Sequence, residues 1–433
     1  VPTRIRLAFR ALRHRDLRLF FSGQAVSLIG TWMQQVAMSW LVYRLTGSAL
    51  LLGVISFASQ FPSLLMAPFA GALADRWSRY HIVVTTQLLS LVQASVLALL
   101  VLTDAVAVWH LMALSVTIGL INGVDIPARQ ALMIRLIGSP DDLPNAIALN
   151  SSMFNAARLI GPAIGGVLIS VAGEGTVFVI NAVSYVGVLG ALAMLSVPHQ
   201  PPNQVGSVWR TMMEGFGYAW NSTPLRDLLT LLSLFSLIGI PYVVLFPVFA
   251  RDVLGGGPGT LGLLTASAGG GSLLGALALA SRGTVRGLGR VIAQGAGVFG
   301  LSLILFALSR NLLLSCVLLV LSGFSMIIVT ASINTVLQTI LREDMRGRIM
   351  SLYTMAFVGT TPIGGLVGGA IANRVGAPIA IILGGLGCLA ISVWAFRRLP
   401  ALRDLIRPIY AELGILPEVA AGLQSVSDMR PRT

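Results

Sequence analysis

The chain has 433 residues, of which 55% are hydrophobic and only 10% charged, and its mean hydropathy is +0.86. A water-soluble chain of this length needs far more charge on its surface, so that class is excluded. The net charge is +13 and every basic residue other than histidine is arginine, but the arginines sit in short breaks between apolar stretches, which argues against nucleic acid as a partner.

A helix needs about 20 apolar residues to cross the hydrocarbon core. Stretches of that length recur, and the predicted spans are 19–43, 49–72, 81–102, 109–135, 145–171, 175–197, 227–250, 259–281, 289–308, 312–340, 348–373 and 377–397, twelve in all. Irregular backbone cannot face lipid, so the fold class is an all-α integral membrane bundle. Residues 1–18 form an Arg-rich segment leading straight into the first span, with no cleavable signal peptide expected. Arg4, Arg6, Arg10, Arg13, Arg15 and Arg18 precede that span. Arg76 and Arg79 follow the second, Arg282, Arg286 and Arg290 the eighth, Arg342, Arg346 and Arg348 the tenth, and Arg397, Arg398, Arg403 and Arg407 the twelfth. The opposite breaks hold Arg44, Arg251, Arg310 and Arg374. Cytoplasmic loops carry the arginine excess, which places both termini in the cytoplasm, as an even number of spans requires. The absence of lysine suggests a GC-rich genome and hence a bacterial inner membrane.

The longest polar break, 198–226, opens with Pro198-His-Gln-Pro201-Pro202, which stops the sixth span. Val208, Trp209, Met212, Met213, Phe216 and Trp220 then form an apolar stripe at helical spacing. Residues 207–221 are expected to be an amphipathic helix, lying at the membrane interface or packed against protein. The break divides the chain into six-span segments 19–197 and 227–397, with a tail from 398 to 433. A faint repeat supports the division: Gly161-Pro162-Ala-Ile-Gly165 returns 200 residues later as Thr361-Pro362-Ile-Gly-Gly365. Cys316 and Cys388 fall inside spans and read as small packing residues.

Three polar constellations interrupt the apolar text. The first is Gly71-Ala-Leu-Ala-Asp75-Arg76-Trp-Ser-Arg79, joining the second and third spans. Gly71 allows close helix approach, and Asp75 can accept from a neighbouring helix start or pair with Arg79. The same residues also read as a cap flanked by positive-inside charges. The second is Gly161-Pro162-Ala163-Ile164-Gly165-Gly166, in which Pro162 removes a backbone hydrogen bond and the glycines permit tight packing. The third is charge at membrane depth, which is costly and marks functional candidates. Asp125 lies about 15 Å from the cytoplasmic end of the fourth span. It can pair with Arg158 of the fifth span or with Arg129 at i,i+4, as a structural pair or as a proton-linked carboxylate. Gln34, Gln35, Asn122, Asn150, Asn155, Tyr242, Asn334 and Gln338 are expected to line a weakly charged cavity, with Trp32, Met33 and Met38 nearby, or to bridge helices. Such a cavity suits a bulky, amphipathic, neutral or charge-delocalised solute.

The pattern at 71–79 resembles the loop between the second and third helices of the major facilitator superfamily of transporters. Residues 161–166 resemble the G-P-x-x-G-G signature in the fifth helix of its antiporters. Asp125-Ile-Pro-Ala-Arg-Gln-Ala131, Leu143-Pro-Asn145-Ala, Asn150-Ser and Phe246-Pro-Val-Phe-Ala-Arg-Asp-Val-Leu254 are similar to the branch that includes enterobactin exporters and macrolide efflux proteins. The resemblance covers about residues 7–400. It implies two pseudo-symmetric six-helix halves with the substrate site between them. It further implies a conformational latch at Gly71, Asp75, Arg76 and Arg79, and a seal and pivot at Gly161, Pro162, Gly165 and Gly166. The implied protein is a monomeric, proton-coupled exporter of a drug- or siderophore-like molecule, working by alternating access. The chain departs from the family at Ser78, Tyr80, Ala157 and Leu279, and it lacks the arginine-Q-G motif of many drug antiporters, which weakens the carry-over of their proton mechanism. An importer or uniporter of the same fold, or a non-transporting sensor, are the alternatives. No nucleophile–base pair, metal-ligand cluster or nucleotide-binding loop is apparent, so neither an enzyme nor a cofactor is expected, and no ring of polar residues suggests a channel.

Overall fold

A computed structural model describes residues 10–137, 139–196, 208–282 and 284–412, excepting the side chains of 67–76, 140, 208–212, 409 and 412. Every regular element among them is helical: α1 Arg15–Thr46, α2 Ala49–Arg76, α3 Arg79–Leu102, α4 Val108–Arg135, α5 Leu143–Ala193, α6 Val208–Asn221, α7 Thr223–Val253, α8 Pro258–Ala280, α9 Leu288–Leu308, α10 Leu312–Ile340, α11 Glu343–Val375 and α12 Ala377–Glu412. Ten of these, α2 to α5 and α7 to α12, are long and apolar enough to cross a membrane.

Boundaries differ from expectation where local chemistry is subtle. The predicted spans 145–171 and 175–197 are two limbs of α5, broken at Gly173, whose φ of 79° favours glycine. α1 starts at Arg15 rather than 19, and α12 runs past 397 to Glu412 through Pro400 and Pro408. α7 is irregular because Pro241 and Pro247 each remove a backbone donor. It passes from α-helix (Thr223–Ile238) through a 3-10 segment (Ile240–Leu245) and the short turn Phe246–Val248 to a π turn (Phe249–Val253). α11 carries a π turn at Met355–Gly359. Ser78 caps α3 by accepting from His81 N at 3.2 Å, which gives this departure from the family pattern a local role.

The helices sort into two sets. In the first, α1 packs on α5, α2 on α4, and α3 on both α4 and α5. In the second, α8 packs on α10, α9 on α10 and α12, and α7 on α11 and α12. Helix association in lipid depends on dispersion and close fit. The second set supplies this with fully buried Phe235, Phe246, Phe249, Phe299 and Phe306, including a Phe249–Phe306 stack at 4.4 Å and a Phe235–Phe299 pair at 4.9 Å. These rings clamp irregular α7 against α9. Outward, Val92 and Leu99 on α3, Leu301 and Leu305 on α9, and Leu383, Leu386 and Val393 on α12 are exposed, a girdle that only lipid would cover. Helix α6 leaves Met213, Phe216 and Trp220 exposed, while Glu214 meets Arg348 of α11 at 3.0 Å. The helix thus packs on protein along one face and keeps an apolar stripe on another.

Candidate substrate and gating sites

Two glycine seams join the helix sets. On α5·α8, a Cβ added to Gly166 would lie 2.8 Å from Gly262 Cα, and one added to Gly262 would lie 2.6 Å from Pro162 O. On α2·α11, a Cβ on Gly53 would lie 2.6 Å from Gly365 O, and one on Gly369 would lie 2.6 Å from Ala49 O. Backbones touch there only because the side chains are absent. The two copies of the repeat, 161–165 and 361–365, meet the seams through backbone carbonyls, Pro162 O on α5·α8 and Gly365 O on α2·α11, while Gly161 packs against Trp32 of α1. Gly165 does not face the seam. Its added Cβ would meet Met33 Cα of α1 at 3.1 Å, inside the first set, and it is Gly166 that meets the second set.

Polar contacts reinforce the seams at the end where α1 gives way to α2, here called distal. Tyr43 donates from its hydroxyl to Asp252, and Arg251 lies 5.9 Å from the Tyr43 ring. Gly259 N donates to Ser170 Oγ at 3.1 Å, and Ser48 meets Asn373 at 3.4 Å. Arg44 and Glu174 pair at 2.7 Å beside the Gly173 break. The motif around residues 246–254 signalled Asp252 only as part of a resemblance, and its Tyr43 partner, distant in sequence, had no local signal.

At mid-depth the charges separate. Asp125 does not pair with Arg158. It meets Arg129 at 2.9 Å on its own helix and accepts from Thr86 Oγ1 at 2.7 Å and Gln87 Nε2 at 2.9 Å. Arg129 donates onward to Gln24 at 2.6 Å. Both carboxylate oxygens are thus satisfied by donors from α3 and α4, and the chain of contacts reaches α1 without leaving the first set.

Arg158 stands apart, near the middle of the 143–172 limb. Among the described residues no carboxylate lies within 4.0 Å of it; its guanidinium is 5.8 Å from the Trp32 ring, which packs edge-on to Phe154 at 5.8 Å. Tyr242, placed by the 3-10 segment of α7, lies within electrostatic reach of Arg158, and its buried hydroxyl has no hydrogen-bond partner among the described residues. A cation, two aromatic walls and an unpartnered hydroxyl therefore converge from α1, α5 and α7, drawing on both helix sets.

The remaining predicted cavity residues scatter. Gln34 is buried and bridges helices, accepting from Asn181 at 2.7 Å and donating to Gln93 at 3.4 Å, so the commoner fate of a buried amide applies. Gln35 is exposed, Asn122 and Asn150 are half-buried, Asn155 bonds its own helix at Ser151 O, and Gln338 bonds Asn334 at 2.5 Å on α10. Of the 71–79 loop, the side chains of Gly71, Asp75 and Arg76 lie outside the described residues. Arg79 begins α3, within electrostatic reach of Arg135 at the end of α4.

A cluster not expected from sequence sits at the proximal end. Asp142, fully buried ahead of α5, receives Arg10 Nε, Arg13 Nη2 at 2.8 Å and His14 Nε2 at 2.8 Å, and Asn145 accepts from Ala11 N at 2.9 Å. The hydrogen bonds from His14 and Arg10 outweigh burial and hold the Asp142 carboxyl at about 2. The acid pair after Pro140 was the only available signal.

This architecture is that of a membrane transporter of the major facilitator superfamily. The family model described as transmembrane secretion effector matches residues 7–407, and the chain belongs to that family. Among its relatives is the staphyloferrin A transporter of Staphylococcus aureus, 23% identical over 87% of this chain and 94% of that protein. Another is macrolide efflux protein A of Streptococcus pyogenes, 24% identical over 86% of this chain and 93% of that protein. In fold, the chain resembles the crystal structure of a POT family transporter in complex with 5-aminolevulinic acid, with a TM-score of 0.73 at 12% identity, covering 90% of this chain and 96% of that one. The family and these relatives are membrane transporters, not enzymes.

Proposed function

We propose that this protein is a secondary active exporter that works by alternating access in a bacterial inner membrane. Counting α1 and the two limbs of α5 gives twelve spans, arranged as two six-helix halves linked by α6, with both termini cytoplasmic. The arginine asymmetry supports that orientation. The two glycine seams carry the reading. They join the halves at the distal end, and they are contacts that a rocking motion would have to open. With the termini cytoplasmic, this reading makes the distal seams a gate closed toward the outside. Its substrate lies between the halves at Arg158, Trp32 and Tyr242. A bulky molecule with an apolar body for the aromatic walls and an acidic or electron-rich group for Arg158 fits this site better than the neutral or charge-delocalised solute expected from sequence, because no carboxylate among the described residues lies within 4.0 Å of the guanidinium.

The proton gradient is the proposed energy source, with Asp125, the carboxylate buried deepest within a span among the described residues, as the group to test. Gly71, Asp75, Arg76 and Arg79 are the proposed cytoplasmic latch, and residues 161–166 the proposed seal and pivot. One experiment addresses these claims: retention of dyes, macrolides and catecholate or carboxylate siderophores in cells with and without the protein, with and without an uncoupler. Uncoupler-sensitive depletion of an amphipathic substrate is expected, with Asp75→Asn slowing it and Asp125→Asn leaving only exchange. Retention unaffected by the protein across the panel would remove the exporter reading. Full uncoupler-sensitive efflux by an Asp125→Asn/Arg129→Gln double variant would make that pair a brace.

A further inference from the structure

The α8–α9 connection, the start of α9 and the α12 extension enclose a cavity of about 1070 Å³ at the proximal end of the second helix set, apart from the site between the halves. Arg282, Arg286 and Arg290 line one wall, and Arg403 and Arg407 the other. Asp404 is the one carboxylate among the described lining residues. Arg282 donates to Arg286 O at 2.8 Å, which shapes the loop. Among the described residues no acid lies within 4.0 Å of Arg290, Arg403 or Arg407, and all three are exposed. Beneath them the lining is aliphatic, with Leu288, Ile292, Val336, Leu402 and Ile406. The cavity therefore has a cationic rim and an oily floor. Its walls come from α9 and α12, the same helices that expose Leu301, Leu305, Leu383, Leu386 and Val393.

We propose that this cavity is a binding site for an anionic phospholipid of the adjacent leaflet. The phosphate diester would meet Arg290, Arg403 and Arg407, and the acyl chains would lie against the apolar stripes of α9 and α12. A soluble phosphate would use the rim alone and leave the floor and the stripes without a role, whereas a lipid uses both. Because α12 meets α7 and α11 as well as α9, occupancy would tie the α12 extension to the rest of the second half.

The test is the thermal midpoint of the full-length protein in neutral detergent, titrated separately with phosphatidylglycerol, phosphatidylcholine and inorganic phosphate. Phosphatidylglycerol should raise the midpoint saturably, while phosphatidylcholine and inorganic phosphate should not. The Arg290→Gln/Arg403→Gln/Arg407→Gln variant should need at least about tenfold more phosphatidylglycerol for the same rise. The Arg342→Gln/Arg346→Gln variant, which removes charge on the same side of the membrane but outside the cavity, should respond as the wild type does. If the triple variant has a lower midpoint without lipid, Arg403→Gln alone, on the exposed α12 extension, replaces it and should weaken the response in the same direction. A wild-type response from the cavity variant, or equal effects of the two lipids, would overturn the proposal. Reproduction of the rise by inorganic phosphate would overturn it in favour of a free-anion site.

Discussion

Arg158 and Asp142 illustrate opposite treatments of a charge. Arg158 has an aromatic face at 5.8 Å and no carboxylate within 4.0 Å among the described residues, and the proposed function gives it an acidic substrate group as partner. A charged hydrogen bond contributes about 1.5–3 kcal/mol. Arg158→Gln should therefore raise KM for an acid-bearing substrate roughly tenfold or more, with neutral substrates changing less and Arg158→Lys intermediate. Equal loss for neutral and acidic substrates would assign Arg158 to packing. Asp142, by contrast, is fully partnered, and its folded value of about 2 lies below the ordinary 3.8. A depressed carboxyl contributes stability that is fully present above the unfolded value and is lost as pH falls toward the folded one. Melting midpoints followed from neutral pH down to the region of pH 2–4 should fall more steeply for the wild type than for Asp142→Asn, with the variant the less stable at neutral pH. Parallel curves would contradict the assignment.

At the scale of helices, the face on which each glycine lies decides what its substitution does. Gly166→Leu would push α5 from α8, whereas Gly165→Leu would push α5 from α1 within the same helix set. The first should stop efflux with a melting midpoint near that of the wild type. The second should overpack a core and cost about 1–3 kcal/mol of stability. Detergent melts alongside efflux separate the two, and similar destabilisation by both would contradict the seam. Sequence could not make this distinction, because it shows that residues 161–166 pack closely but not the rotation of the helix about its axis. The same limit explains Asp125. Its i,i+4 contact with Arg129 is fixed by helix geometry and was legible, while the competing pair with Arg158 depended on how α4 and α5 face each other. Span lengths were legible because lipid thickness dictates them. The extension of α12 was not, since arginines mark where a helix leaves the membrane rather than where it ends.

For the whole molecule, the proposed alternating-access cycle makes the two seams and the polar contacts above them a closed distal gate that must open in every turnover. Ser48 and Asn373, 3.4 Å apart across the α2·α11 seam, offer a direct handle on it. In a background with Cys316 and Cys388 replaced by serine, the pair Ser48→Cys/Asn373→Cys can be oxidised to a bridge across the gate. The decisive measurement is efflux by this variant before oxidation, after oxidation and after reduction. Loss of efflux in the bridged protein and recovery on reduction are expected, with each single cysteine variant unaffected; undiminished efflux with the bridge formed would contradict a distal gate that opens.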